Sequence, residues 1–456
     1  MTQPGNGQVG TAGTAVRQAS LREHNLALLL RHIADAPRPP SRADLATATG
    51  LTRATVSALV DDLIGGHLLT EVDPAPRTGA GRPALGLVLA TDGPAGLGLE
   101  INVDYLAACV VDLTGAVRHR AVRRVDLRPI SPAEVLNDLG DLAATARAEA
   151  HRQRLVLAGT ALAVPGLVTS TGVVRLAPNL GWRDVDLAGG LNTHPALAGH
   201  RLTAPGQPGV AAPAPARPAG RVPGQGPGGA TARGPSGQRT GSGGWLTIDN
   251  EANLAALGEL HAGPPGPATF LYVSGEIGIG AGIVLHGALF RGARGWSGEL
   301  GHLPVHPTGR PCRCGSRGCL EQYAGQEAIL TGAGLAGRGL PADAAIARLA
   351  ERAGTGDPAA LGALTEAATA LGVAIAGVIN LLDLDTVVLG GIYAPLVTWL
   401  RPPLEAEIAR RVLTAAWSPV TVRPSRLTRD AAVLGAAGSV VRAVLSNPAH
   451  WLTPPT

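Results

Sequence analysis

Residues 298–325 hold three of the chain's four cysteines in one glycine-rich stretch, GELGHLPVHPTGRPCRCGSRGCLEQYAG. A histidine is followed after nine residues by the first cysteine, and the next two cysteines come after one and four further residues. One imidazole and three thiolates form a tetrahedral ligand set for zinc. Because Gly315 and Gly318 allow tight backbone turns, the ligands can converge on one ion. The predicted ligands are His302, Cys312, Cys314 and Cys319.

The alternative for these cysteines is a disulfide with one spare thiol. No secretory signal precedes them, so we expect a cytoplasmic protein in a reducing environment, where clustered cysteines favour a metal. The fourth cysteine, Cys109, lies in an apolar run that predicts a buried strand. Since four protein ligands leave no open coordination position, the zinc is predicted to be structural, clamping a loop that presents Glu299 and Glu321.

The elements GELGH and CxCGxxGCLE resemble the signature of the ROK family, named after repressors, open reading frames and kinases. The resemblance implies that the zinc loop holds a sugar site. It also implies that Glu299, His302 and Glu321 form hydrogen bonds with sugar hydroxyls.

Residues 20–90 follow a tail, residues 1–19, that we expect to be disordered. Their pattern is helix, helix, glycine turn, helix and hairpin, which is typical of a winged helix-turn-helix. The segment SRADLATATGLTRATVSALVDDLIGGHLL also resembles the DNA-reading part of ROK repressors. A small helical bundle that docks on the next domain is the alternative.

The expected DNA contacts are short polar side chains and arginines, which suit phosphates and base edges. Residues 1–90 hold eight arginines and seven acidic residues, so affinity must come from local placement instead of a broad basic field. The candidates are Arg42, Thr52, Arg53, Thr55, Ser57, Arg77 and Arg82.

The rest of the chain predicts an α/β fold, because strands and helices alternate from residue 94 onwards. The resemblance specifies a two-lobed actin-like (ribonuclease H-like) ATPase fold behind the winged helix-turn-helix. We assign residues 94–202 to the first lobe and 245–430 to the second, with a C-terminal helix at 431–446 that returns to the first lobe. Residues 203–244 are rich in proline, glycine and alanine and predict a disordered insertion, either a passive loop or one whose arginines reach DNA.

Two hairpins that hold ATP phosphates in ROK kinases have changed here. The family's Asp-x-Gly-Gly-Thr element corresponds to residues 100–104, where Asp104 replaces the threonine and both glycines are absent. The Gly-Thr-Gly element corresponds to Glu276, Ile277 and Gly278. A carboxylate about 4 Å from a phosphate charge costs roughly 4 kcal/mol at an effective dielectric constant near 20. The sequence therefore predicts that ATP binding is lost.

The catalytic base of the kinases is also altered, since their Asn-Asp pair reads Asn250-Glu251 here. The longer side chain displaces the carboxylate but can still bind a hydroxyl. Asn179 and Asn250 could equally be turn-forming residues, and we expect Trp182 to pack in the core instead of stacking on a sugar. The full predicted sugar set is Asn179, Asn250, Glu251, Glu299, His302 and Glu321.

Together these features predict a sugar-responsive ROK repressor that binds operator DNA as a homodimer or dimer of dimers and has no catalytic residues. The resemblance leans towards xylose-type repressors, although the sequence does not name the sugar. One alternative is an ATP-dependent sugar kinase with an added DNA-binding module, and another is a zinc-stabilised, sugar-responsive scaffold that does not bind DNA. No run of eighteen apolar residues is present, so we expect no membrane span.

Overall fold

A computed structural model describes residues 18–73, 85–205, 244–263, 266–337 and 341–452 of the 456-residue chain. Residues 1–17 of the expected tail and 206–243 of the expected insertion lie outside the described residues. The chain divides into a smaller unit, Met1–Ala90 with Leu445–Pro454, and a larger unit that contains Thr91–Val444.

The smaller unit has the predicted winged helix-turn-helix arrangement. Ser41 forms a capping box with Asp44, Thr52 caps the following helix, and Gly50 makes the turn between them with a φ of 72°. The hairpin pairs antiparallel, so the unit is not a helical bundle. Its N-terminal elements are α1 (Gln18–Ala34), α2 (Arg42–Thr49), α3 (Arg53–Gly65), β1 (Leu69–Val72) and β2 (Gly86–Leu89).

The larger unit begins with strands and helices that form a first sheet and a small antiparallel sheet. These elements are β3 (Pro94–Ile101), β4 (Tyr105–Asp112), β5 (Val117–Arg124), α4 (Pro132–Arg152), β6 (Val156–Val164), β7 (Leu167–Val168), β8 (Val173–Ala177), β9 (Trp182–Asp186), α5 (Leu187–Asn192), β10 (Arg201–Leu202), β11 (Trp245–Asn250) and α6 (Glu251–His261).

The second sheet and the C-terminal helices follow. The elements are β12 (Phe270–Gly275), β13 (Ile279–Leu285), β14 (Ala288–Phe290), a 3₁₀ turn (Leu300–His302), α7 (Glu321–Ala324), α8 (Gln326–Gly332), α9 (Ala342–Gly354), α10 (Pro358–Leu382), β15 (Thr386–Gly391), α11 (Tyr393–Arg411), β16 (Thr421–Pro424), a second 3₁₀ turn (Thr428–Asp430), α12 (Ala431–Ser446) and α13 (Pro448–Leu452).

The two large sheets repeat one strand order. The first runs β10-β11-β6-β3-β4-β5 and the second β14-β13-β12-β15-β16. In each, an antiparallel three-stranded meander is extended by parallel strands beside its first strand. This duplication confirms the expected two-lobed α/β fold. The expected lobe boundary at residue 245 is wrong, because β11 pairs in parallel with β6 and so completes the first sheet.

Helix α10 is the one described helix that is long and apolar enough to cross a membrane, with a mean hydropathy of 1.6 over its best window. It packs along α11, and 61% of that window is buried within the protein. The apolar side chains of α10 therefore pack within the protein core. The length and hydropathy of this one helix are only weak evidence for a membrane span.

Helix α12 packs so closely on its neighbours that glycines are required at the contacts. A Cβ on Gly435 would lie 1.8 Å from the carbonyl oxygen of Leu254 in α6. On the other side, a Cβ on Gly98 of β3 would lie 2.2 Å from the carbonyl oxygen of Val433. Backbone atoms cannot move aside cheaply, so α12 is fixed against both α6 and the first sheet.

We predict that Gly435→Ala destabilises the larger unit by about 1–3 kcal/mol because the new methyl group overpacks a backbone contact. Gly438→Ala in the same helix is the matched control, since no atom lies within 4 Å of the position of its Cβ. That control should gain roughly 0.5–1 kcal/mol from helix propensity. Differential scanning calorimetry measures both, and equal melting temperatures would contradict the close packing.

Candidate functional site

The four predicted metal ligands converge. One ligand atom from each of His302, Cys312, Cys314 and Cys319 lies within 4.8 Å of all the others. The Sγ atoms of Cys314 and Cys319 are 3.7 Å apart, and Cys312 Sγ is 3.8 Å from His302 Nδ1. Two sulfurs bound at about 2.3 Å to a tetrahedral ion would be separated by about 3.8 Å. The residues therefore fit a zinc ion, and the distances are far too long for a disulfide.

Glu321 lies between this metal cluster and a second polar group. Its carboxylate is buried, and Oε1 accepts a hydrogen bond from the Cys312 thiol at 3.0 Å. The other oxygen, Oε2, points towards Gly278, where a Cβ would lie 3.3 Å from it and 2.5 Å from Asn179 Nδ2. Glycine at position 278 thus allows Asn179 and Glu321 to approach the same point of the cleft.

Glu299 and Glu251 complete this polar cluster. Burial raises the pKa of Glu299, while His302 lowers it and Glu321 raises it further. Glu251 is the first residue of α6, and burial raises its pKa well above the usual range, with additional repulsion from neighbours that include Glu299. These electrostatic effects, together with the approach of Asn179 and Glu321 at Gly278, bring the predicted residues into one neighbourhood, which we call the polar cluster: Asn179, Glu251, Glu299, His302 and Glu321.

Asn250, a predicted sugar contact, also has a local structural role. Its Oδ1 caps α6 by accepting hydrogen bonds from the backbone N–H groups of Ala252 and Asn253, at 2.9 and 3.3 Å. Its Nδ2 donates to the carbonyl of Gly166 at 3.1 Å. Both acceptor positions and one amide proton are therefore already used, so the turn-forming alternative applies. The Trp182 side chain is 4% exposed and lies in the hydrophobic core around the first sheet, as expected for a packing residue.

A second group of acids occupies the place of the altered phosphate hairpins. Glu100, Glu251 and Glu276 line one small cavity, the carboxylate pocket, together with Arg429. The cavity offers about 10 Å³, which is the space of about one water molecule. This cavity is too small for a phosphate group.

Hydrogen bonds hold Glu100 in that pocket. The Tyr105 hydroxyl donates to Glu100 Oε1 at 2.6 Å and accepts from Asn102 Nδ2 at 3.2 Å. Burial raises the pKa of Glu100 to about 7, and these hydrogen bonds oppose the shift. Tyr105 was not among the predicted site residues. A tyrosine five residues after an acid, across a tight hairpin, is the signal that could have identified it.

Glu276 adds a second perturbed acid in the turn between β12 and β13. Burial raises its pKa to about 8, and Glu100 and Asp104 raise it further, while Arg429 lowers it. Burial also raises the pKa of Asp104. The two carboxylates predicted to face a triphosphate, Asp104 and Glu276, thus lie in one electrostatic group with Glu100.

In the smaller unit, α3 presents the predicted recognition residues. Thr52 and Arg53 are exposed, and Thr55 and Ser57 are partly exposed. The Thr52 hydroxyl accepts a hydrogen bond from the backbone N–H of Thr55 at 3.2 Å and lies 2.9 Å from its hydroxyl. Thr52 therefore acts first as a helix cap, and Arg53 is the long basic side chain at the start of α3.

Arg42, a predicted DNA contact, is held by two acidic neighbours. Its guanidinium forms ion pairs with Asp61 of α3 at 2.8 Å and Glu71 of β1 at 2.9 Å. Both neighbours raise its pKa against the opposing effect of burial, which is the largest single influence. The side chain holds three elements of the domain together. The predicted wing residues Arg77 and Arg82 lie outside the described residues.

We predict that Glu276→Gln becomes increasingly stabilising as pH rises. With a folded-state pKa near 8, against an ordinary value of 4.5, Glu276 binds more protons in the folded than in the unfolded protein. The free energy of unfolding therefore falls between about pH 5 and pH 8 and levels off above that range. Glutamine resembles the protonated acid and removes this loss.

The measurement is the melting temperature of the variant minus that of the parent, from pH 5 to 9. Glu405→Gln, at an exposed position of α11, is the control and should show a flat difference. A flat difference for Glu276→Gln would mean that its carboxylate is well solvated.

With this geometry in hand, comparison with known proteins is informative. Residues 245–442 match the sequence model of the ROK family, and residues 25–73 match that of the IclR helix-turn-helix domain. A xylose repressor of Bacillus subtilis (strain 168) is 26% identical over 425 residues, which cover 93% of this chain and 96% of that protein. A glucokinase of Thermotoga maritima is 34% identical over 207 residues, which cover 42% of this chain and 65% of the glucokinase.

Among solved structures, a ROK family transcriptional regulator, homologous to the E. coli MLC protein, superposes with a TM-score of 0.68 at 23% sequence identity. The match covers 95% of this chain and 99% of the regulator. This likeness supports the fold described for the smaller unit and for the larger unit. The chain therefore carries a ROK family domain behind an N-terminal helix-turn-helix of the IclR type.

Proposed function

We propose that this chain is a sugar-responsive transcriptional repressor whose ROK domain binds a sugar without phosphorylating it. The observation that carries the proposal is the contrast between two neighbouring groups. The polar cluster supplies acceptors and donors suited to a polyol, whereas the carboxylate pocket fills the place of the phosphates with acids. Glu251 belongs to both groups, so the proposed sugar site and the carboxylate pocket adjoin at this residue.

The kinase alternative draws on the glucokinase relative, which is 34% identical over 207 residues. Against it, Glu100 and Glu276 occupy the pocket, and the free space is about 10 Å³. Binding of magnesium-ATP would require these side chains to leave and their charges to be neutralised. The absence of ADP release with D-xylose or D-glucose in a coupled assay is the expected result.

The whole-length similarity to a xylose repressor makes D-xylose the first effector to test. We infer that it acts as an inducer. A sugar held by residues on both sides of the cleft stabilises the closed form over the open one, and this shifts the conformational equilibrium by its differential affinity. Operator DNA is the macromolecular partner of the helix-turn-helix, and a homodimer or dimer of dimers in the cytoplasm fits a two-fold operator.

The metal is proposed to be a structural zinc. Four ligands leave no position for substrate, so the ion's role is to fix the loop between Glu299 and Glu321. Glu321 follows Cys319 by two residues and contacts Cys312, which couples its position to the metal cluster.

We predict that Cys314→Ser removes the zinc and weakens sugar binding together. Elemental analysis of purified protein should give about one zinc per chain for the parent and for the control Cys109→Ala, since Cys109 lies in β4 away from the cluster. Isothermal titration with D-xylose measures the second effect. Unchanged sugar affinity in zinc-free protein would contradict the role given to the metal.

We predict that D-xylose weakens operator binding by about 5–150-fold, the usual range of allosteric coupling. The operator is first isolated by footprinting genomic fragments with the full chain, and fluorescence anisotropy then follows binding. Glu299→Gln should abolish the response, because it removes a carboxylate of the polar cluster, whereas Glu405→Gln should retain it.

Arg53→Ala should weaken the operator complex by about 1–3 kcal/mol if the side chain reads a base.

Tighter operator binding in D-xylose would make the sugar a co-repressor. A full response in Glu299→Gln would show that the sugar site lies elsewhere.

A further inference from the structure

The last described helix belongs to the DNA-binding unit, although it is the most distant element in the sequence. Residues Leu445–Pro454 group with Met1–Ala90. Helix α13 packs against α1, and its first two residues, Pro448 and Ala449, are buried. The larger unit is therefore inserted between two parts of the smaller one, and the chain enters it after Ala90 and leaves it after Val444.

Helix α13 supplies a cap to the recognition helix. Gly66 is the C-cap residue that directly follows α3, and the last carbonyl groups of a helix have no partner within the helix. Trp451 Nε1 donates a hydrogen bond to the carbonyl oxygen of Gly66 at 2.8 Å. This indole belongs to a residue 385 positions away, so the end of α3 is fixed by the last described helix.

The neighbouring residue, Leu452, packs directly on the same glycine. A Cβ on Gly66 would lie 2.2 Å from Leu452 Cδ2. Gly66 has a φ of −88°, which any residue adopts, so space and not backbone conformation requires glycine there. At Gly65, by contrast, no atom lies within 4 Å of the Cβ position. The contact is thus specific to one residue of the α3 terminus.

The other end of this segment is fixed near the polar cluster. Helix α12 is continuous from Ala431 to Ser446 and passes the unit boundary between Val444 and Leu445. Its Gly435 packs on the backbone of α6, whose first residue is Glu251. A movement of α6 against the first sheet must therefore be accommodated by α12, because the contact leaves no free space.

We propose that α12 and α13 form the element through which the sugar-binding unit controls the recognition helix, with Trp451 and Leu452 as its positioning residues. The proposal rests on the proposed function for its sugar signal. The cap on α3 stands on its own contacts. In this arrangement the sugar changes the position of α6, α12 follows, and α13 shifts the C-terminal end of α3. Trp451 and Leu452 act on DNA through α3 and touch no base themselves.

The cap is tested first in the full chain without sugar, by operator affinity. Gly66→Ala should weaken operator binding about tenfold, since the new methyl group displaces Leu452 from the α3 terminus. Adding Leu452→Ala should restore most of this loss by making room. Gly65→Ala is the matched control and should leave affinity unchanged. Failure of Leu452→Ala to restore any affinity would overturn the assigned contact.

The coupling is tested by the ratio of operator dissociation constants with and without D-xylose. Trp451→Phe keeps an aromatic ring at this position but removes the indole N–H that donates to Gly66, and it should shrink that ratio while D-xylose affinity, measured by calorimetry, stays at the parent value. His450→Ala, at an exposed position of the same helix, should keep the full ratio. A purely structural role would change stability without changing the ratio.

A chain ending at Ser446 gives a further test, because it removes α13 entirely. Wild-type operator affinity and a wild-type sugar ratio in that chain would overturn the proposal. If neither D-xylose nor D-glucose binds to the parent or to any variant, the proposed function fails. In that case the comparison of Gly66→Ala with the Gly66→Ala, Leu452→Ala double variant still decides whether α13 positions α3.

Discussion

The convergence of His302 with Cys312, Cys314 and Cys319 is the constraint on which the site depends. A loop of more than twenty residues with little regular structure carries Glu299, His302 and Glu321, and conformational entropy alone would disperse them. Convergence of His302 and three cysteines fixes both ends of that loop at once. Glu321 can then be buried with one oxygen against Cys312 and the other towards Asn179.

The same fold holds a second group of acids, whose burial makes the ionised form unfavourable. Glu100 and Glu276 are costly to ionise, as their raised pKa values show. A protein that needed to bind a polyphosphate would not retain such a pair beside it. The polar cluster beside a pocket lined by acids is the arrangement on which the proposed loss of phosphoryl transfer rests. Stability is given up for this, since every ionised carboxylate there opposes folding.

Sequence reasoning succeeded where chemistry is local. The spacing of His302 and the cysteines predicted the metal cluster, and Ser41, Gly50 and Thr52 marked the helix-turn-helix, because caps and turns depend on near neighbours. It was incomplete where the deciding partner is distant. Arg42 is engaged by Asp61 and Glu71, and Asn250 by Gly166, which a linear pattern does not reveal. The strand β11 was assigned to the wrong sheet for the same reason, since only pairing with β6 identifies its place.

The insertion of the larger unit into the smaller one has a consequence for synthesis. Gly66 meets Trp451 only after 385 further residues have been added to the chain, which takes roughly 20–80 s at 5–20 residues per second. A nascent chain on the ribosome can form α1 to α3 early, but the Gly66 carbonyl lacks its indole donor until Trp451 has been synthesised. Translation that stops before Trp451 therefore yields fragments in which the end of α3 lacks this indole cap.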